Sequence, residues 1–133
     1  MPQKVMLVDD DVTLYIGNLA ITRNHFASEV IQFESAESAM EQLRSLEISE
    51  RTGLVFLDIN MPHMNGWEFL YIFEKEFYHP GSGPDVVMLT SSIDPLDHEK
   101  SKIYHSVIEF ISKPLTTEKL ENIKKHQRIS HYW

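Results

Sequence analysis

Five short apolar runs recur along the chain: Val5 to Val8, Val30 to Phe33, Leu54 to Leu57, Val86 to Leu89, and Val107 to Ile111. The first, third and fourth are continuous rather than alternating, the pattern of strands buried on both faces. Helical periodicity fills the intervals. Ala36, Ala39, Met40, Leu43 and Leu46 recur on one face, against Glu37, Glu41, Gln42 and Arg44 on the other, an amphipathic helix. Val12, Ile16, Leu19 and Ala20 predict a helix after the first run, and Trp67, Leu70, Tyr71 and Phe77 one after the third. Asp94-Pro95 reads as an N-cap followed by proline at the first helical position, opening a helix toward Tyr104. Thr116 or Thr117 is placed to cap a last helix through Leu120 and Ile123 that ends near Arg128. Strand and helix thus alternate five times, which implies a parallel sheet with right-handed crossovers and helices on both faces, a three-layer α/β/α sandwich. The stretch from His79 to Pro84 is a connecting loop.

Length and charge narrow what such a sandwich can do. A chain of 133 residues fits one domain over 1–133, with a core from about 3 to about 128, and leaves no room for an output domain of ordinary size. Lys and Arg number 12 against 20 Asp and Glu, a formal charge of −8. That field repels nucleic acid and anionic membranes and favours a cation or a basic partner. With no cysteine there is no disulfide framework, no thiolate nucleophile and no thiolate metal site. The run Val5 to Val8 is too short for a signal-peptide core or a membrane span, so a cytoplasmic location is expected.

In a parallel sheet all strands exit on one edge, and ligands bind just beyond those carboxyl ends. The first strand leaves through Asp9-Asp10-Asp11, the third through Asp58, the fourth through Thr90-Ser91-Ser92 and the fifth through Ser112-Lys113-Pro114. Should the first and third strands be neighbours, Asp9, Asp10 and Asp58 converge. Carboxylates about 4 Å apart repel by about 4 kcal/mol per pair at an effective dielectric near 20. A hard cation with oxygen ligands offsets that, and Mg²⁺ suits carboxylates, a carbonyl, waters and a phosphate oxygen. Lys113 supplies a second positive charge. A carboxylate, a divalent cation, an ammonium and the Thr90 hydroxyl in one crevice suggest phosphoryl transfer to Asp58. Met61-Pro62 then turns the chain away from the pocket. Asp11 is placed either to join the acidic group or to cap the following helix. The seven histidines show no metal-ligand spacing, and His63 alone falls near the pocket mouth.

With these residues assembled, the chain resembles the receiver domain of two-component response regulators. The resemblance runs through "LVDDD", "LDINMPHMNGWEFL", "MLTSS" and "FISKP" and spans essentially the whole sequence. It implies a flavodoxin-like fold with strand order 2-1-3-4-5. It also implies phosphorylation of Asp58 from a sensor histidine kinase or histidine phosphotransfer protein, with Mg²⁺ held by Asp10, by Asp9 mainly through water, by Asp58, and by the backbone carbonyl of Asn60. Lys113 matches the family's phosphate-contacting lysine, and Thr90 its switch hydroxyl. Asn60 and Ser92 occupy positions that influence autodephosphorylation. Output toward an effector protein is expected on the face of the fourth helix, fifth strand and fifth helix, with Phe110 as the switch aromatic or as a plain core phenylalanine. The resemblance further implies catalysis of its own phosphorylation and dephosphorylation rather than turnover of a separate substrate, and a monomer or weak phosphorylation-dependent dimer. Tyr132 and Trp133 pack back on the domain or stand exposed as anchors.

Two other functions fit parts of the pattern. A phosphate-independent receiver-like binding module needs no mutually repelling carboxylates at Asp9, Asp10 and Asp58. A Mg²⁺-dependent aspartyl-phosphate phosphatase of the haloacid-dehalogenase type needs a second Asp two residues after the nucleophile, where this chain has Asn60.

Overall fold

Each apolar run becomes a strand, and each strand reaches slightly past the run that marks it. In the computed structural model the strands are β1 (Lys4–Val8), β2 (Glu29–Phe33), β3 (Leu54–Asp58), β4 (Asp85–Thr90) and β5 (Val107–Ser112). The helices are α1 (Thr13–Arg23), α2 (Ala36–Ser45), α3 (Gly66–Glu76), α4 (Pro95–Ser101) and α5 (Thr117–Lys124). Residues 1–10, 13–45, 53–78, 84–91 and 94–133 are described. Asp11, Val12, Leu46, Ser92 and most of the His79 to Pro84 loop therefore lie outside the described residues. Among those described, no helix is long and apolar enough to cross a membrane.

The five strands form one parallel sheet in the order β2-β1-β3-β4-β5. The continuous runs are the interior strands. β3 and β4 are buried at every position and β1 at all but Lys4, whereas the edge strands β2 and β5 are mostly half-buried. Alternation of side chains then builds two cores. Met6, Val8, Val55, Leu57, Val86 and Met88 face α2 and α3, which contribute Met40, Leu43, Phe69 and Phe73. Val5, Leu7, Leu54, Phe56, Val87 and Leu89 face α1 and α5, which contribute Leu14, Ile21, Leu120 and Ile123. Full burial of each large side chain is worth about 1.5–3 kcal/mol.

The helical stripes shift where packing decides the face. In α1 the buried residues are Leu14, Gly17 and Ile21, and Ile16 is exposed. Gly17 allows this, since a β-carbon there would lie 3.1 Å from Leu7 Cδ2. In α3 the buried stripe is Gly66, Phe69, Leu70 and Phe73, while Tyr71 is 57% exposed. Helix ends follow local chemistry. Asp94 caps α4 through Leu96 N–H, with Pro95 at the first helical position, and Thr116 rather than Thr117 caps α5, accepting from Lys119 N–H.

The last helix stops at Lys124, short of the expected Arg128. Lys125 N–H closes the helix onto Asn122 and Ile123 carbonyls, and His126 N–H bonds Ile123 O at 3.0 Å. The turn carries Arg128 to the amino-terminal edge of the sheet. There its guanidinium donates to His105 O at 2.8 and 2.7 Å and to Tyr78 Oη at 3.0 Å, and pairs with Asp85 at 3.2 Å. Ile129 is fully buried behind it. Tyr132 packs against the α1/α5 core, and Trp133 packs on Phe26 in a tilted pair with centroids 4.8 Å apart, so the terminal aromatics pack back on the domain.

Arg128→Ala should leave the buried Asp85 carboxylate without its charged donor, lowering stability by about 2 kcal/mol. Urea unfolding should show a lower midpoint at unchanged slope.

Candidate functional site

The strand order places the exits of β1, β3, β4 and β5 side by side at the carboxyl edge of the sheet. Asp9 follows β1 and is held there by its N–H on Phe33 O at 3.1 Å. Asp58 is the last residue of β3, in register with Leu89. Thr90 ends β4 opposite Ser112, and Lys113 N–H donates to Thr90 O at 2.7 Å. Thr90 is buried and stands on the strand between those that deliver Asp58 and Lys113.

The side chains of Asp9, Asp58 and Lys113 converge out of water. Lys113 Nζ lies 3.0 Å from Asp9 Oδ2 and 3.3 Å from Asp58 Oδ2, with 7% of the lysine side chain exposed and 1% and 3% of the carboxylates. Asn60 N–H donates to Asp58 Oδ1 at 3.3 Å. Asp10, which is exposed, completes a group of three carboxylates whose oxygens come within 4.8 Å of one another. With all three ionised, one ammonium leaves a formal charge of −2. The donors are all hard oxygens, so charge and chemistry both fit Mg²⁺.

Burial pushes the Asp58 carboxyl up to about 7. The Lys113 charge works against this and the Asp9 charge adds to it, while hydrogen bonds from Lys113 and the Asn60 backbone favour the ionised form. Desolvation wins because a buried carboxylate loses more hydration than one shared ammonium returns.

Two residues not singled out from sequence shape the pocket. Gly66 opens α3 directly beneath Asp58: its N–H bonds Ile59 O at 2.8 Å, and a β-carbon on it would lie 2.6 Å from the Asp58 carbonyl oxygen and 2.8 Å from Ile59 Cα. Asn65 caps α3 in a capping box with Glu68, which the spacing Asn-x-x-Glu signals in advance. The glycine requirement is tertiary and has no such signal. His63 is exposed in the intervening loop with φ 68°, and the Lys113-Pro114 bond is cis.

On the flank, Phe110 is half-buried, stacks on His98 of α4 with centroids 5.4 Å apart, and lines a surface cavity of about 290 Å³ with Ile111, Ser112, His98 and Lys119. Phe110 is therefore neither a fully buried core residue nor a free surface one.

Comparison with known proteins gives a consistent result. The family model for the response regulator receiver domain matches residues 5–125. The chain is 31% identical over 123 residues to the two-component response regulator ARR12 and 32% identical over 124 residues to ARR10, both of Arabidopsis thaliana, in each case over 92% of this chain. It spans 19% and 21% of those proteins' lengths. Among solved structures, a two-component response regulator from Cytophaga hutchinsonii superposes with a TM-score of 0.84 at 31% identity, covering 92% of this chain and 93% of that one.

Two outcomes follow from this geometry. A carboxyl in the unfolded chain titrates near 4, roughly, so folded Asp58 holds its proton up to about 7 while the unfolded chain has lost it. The folded state then binds more protons across that window, and stability is fully present below it and falls as pH rises through it. Asp58→Asn should therefore be more stable than wild type at pH ~8 in metal-free buffer, by on the order of 2 kcal/mol, and the difference should vanish by pH ~4; denaturant titrations at both values check this. Gly66→Ala should cost about 2–3 kcal/mol, because backbone rather than a flexible side chain must move, and calorimetry would register the loss.

Proposed function

The chain belongs to the response regulator receiver domain family of two-component signalling, and on that footing we propose that it accepts a phosphoryl group on Asp58 and thereby switches its docking to an effector protein. The donor is a phosphohistidine on a histidine kinase or phosphotransfer protein. The observation that carries this reading is the Lys113 ammonium spanning Asp9 and Asp58 in a buried pocket. A structural ion pair needs one carboxylate; here two buried carboxylates share the same cation, and an exposed third, Asp10, stands beside them.

In the proposed step an Asp58 carboxylate oxygen attacks phosphorus, the new O–P bond forming as the P–N bond to imidazole breaks. The imidazole nitrogen keeps the bonding pair and takes a proton from solvent. Lys113 stabilises charge on the phosphoryl oxygens, and the Thr90 hydroxyl hydrogen-bonds one of them. Asp10, Asp58 and the Asn60 carbonyl would hold Mg²⁺, with Asp9 contributing mainly through water; when bound, the ion neutralises developing oxygen charge. Lys113 must turn part of its interaction from Asp58 toward the incoming phosphoryl group, and its remaining bond to Asp9 keeps it in place while it does so.

The readout is assigned to the face of α4, β5 and α5. Thr90 moving toward the phosphoryl group would draw on the neighbouring β5, where Lys113 N–H already bonds its carbonyl. Phe110 would respond by repacking against His98. A phenylalanine offers a partner no hydroxyl, so the report is one of shape and apolar area.

Intact mass after incubation with Mg²⁺ and acetyl phosphate tests the chemistry. One added phosphoryl group is expected, absent in Asp58→Ala and in a sample with the metal chelated. No addition, with the donor verified on another receiver, would overturn the proposal and leave a phosphate-independent docking module.

A further inference from the structure

Lys119 is the third residue of α5, a position where the positive end of the helix dipole disfavours an ammonium. Its side chain does not extend into solvent. Lys119 Nζ donates to Ser112 O at 2.7 Å, to Ser112 Oγ at 3.2 Å and to Pro114 O at 3.1 Å. The two carbonyls among them, of Ser112 and Pro114, immediately precede and follow Lys113. Its own backbone N–H is fixed by Thr116 Oγ1 at 3.2 Å, so main chain and side chain are both tied to the start of the helix and the loop that feeds it.

The Lys113 backbone is consequently gripped from two sides. Toward the sheet, Lys113 N–H bonds Thr90 O at 2.7 Å. Toward the helix, Lys119 draws together the carbonyls on either side. Lys113 carries a long side chain with many rotamers, and its ammonium reaches both Asp9 and Asp58 only if that side chain starts from a fixed place. The carboxylates that Lys113 reaches stand on other strands, Asp9 just after β1 and Asp58 at the end of β3.

We infer that Lys119 is a positioning residue for Lys113: through the Ser112 and Pro114 carbonyls it sets where the Lys113 ammonium stands, and so governs the rate of phosphoryl transfer without touching the reacting atoms. This rests on the reading of Asp58 as phosphoryl acceptor. The chemical reason for lysine is that three acceptors converge on one point, which an ammonium with three donors satisfies. Charge-assisted bonds to carbonyls hold the loop more firmly than the waters that would replace them.

The test uses the full chain as wild type, Lys119→Met and Lys119→Arg. Four quantities are measured: phosphorylation rate with acetyl phosphate by intact mass, affinity for beryllofluoride at saturating Mg²⁺, Mg²⁺ affinity by calorimetry, and thermal midpoint. Lys113 faces the phosphoryl position and the acidic residues face the metal, so a positioning role splits the readouts. Lys119→Met should slow phosphorylation about tenfold, the scale set by a sub-ångström to ångström misplacement of a reacting partner, and weaken beryllofluoride binding in step, with Mg²⁺ affinity unchanged. Lys119→Arg should recover most of the rate. Should Lys119→Met fail to fold, Lys119→Gln, which keeps donors but not charge, takes its place with the same expectation. An unchanged rate overturns the inference. So does a parallel fall of rate, Mg²⁺ affinity and thermal midpoint, which would mean a merely structural bond. A wild-type chain that takes no phosphoryl group is seen before any variant is compared; it defeats the acceptor reading and this inference with it.

Discussion

Two buried carboxylates, Asp9 and Asp58, share the ammonium of Lys113, and the carboxyl edge of the sheet is arranged to make that sharing possible. A carboxylate stripped of water is costly unless paired, and here a single cation serves two, from positions far apart in sequence. Only a parallel sheet with β1 beside β3, and β4 leading on to β5, brings those exits to one edge within hydrogen-bonding reach. The pairing is incomplete in electrostatic terms: one ammonium leaves residual negative charge, increased by exposed Asp10, of the kind a hard cation offsets. The same burial that leaves the Asp58 side chain 3% exposed raises its carboxyl.

The two edges of the sheet divide their tasks. At the carboxyl edge, charge is concentrated and left partly uncompensated. At the amino edge, charge is paired off and covered: Arg128 engages Asp85 and the His105 carbonyl, and Ile129, Tyr132 and Trp133 lie over the ends of the core. Burial raises the Asp85 carboxyl, and Arg128 opposes the rise, so the terminal segment is held by electrostatics as well as by apolar contact. Paired and uncompensated charge are thus separated by the length of a strand.

Site and flank are joined through few residues. Asp58 and Thr90 end adjacent strands, Thr90 accepts from Lys113 N–H, and Phe110 lies three residues before Lys113 on a strand that is half-buried throughout. An edge strand with loose cover is where a small displacement at the site costs least to transmit. The Phe110–His98 stack lies beside a surface cavity, and Phe110 also packs on the edge of the α2/α3 core.

Much of this was legible from sequence. The apolar runs identified all five strands, the three interior ones most plainly because strands buried on both faces admit almost nothing else, and Asp94-Pro95 marked its helix because a cap acts through neighbours in sequence. The residues Asp9, Asp10, Asp58, Thr90 and Lys113 stood out because each sits at a strand exit, and the parallel topology follows from alternation. The helix faces were less legible: Ile16 and Tyr71 fit an apolar stripe, yet the close approach of Gly17 to Leu7 and of Gly66 to Asp58 rotated α1 and α3 away from it. The end of α5 was missed because Arg128 is drawn off the helix by a carbonyl and a carboxylate that precede it by many residues. Residues that act through local patterns were determined by the sequence itself. The glycine beneath Asp58, the grip of Lys119 on the lysine loop and the closure of the amino edge were decided only by tertiary structure, because each depends on the distance between backbones that the one-dimensional pattern does not contain.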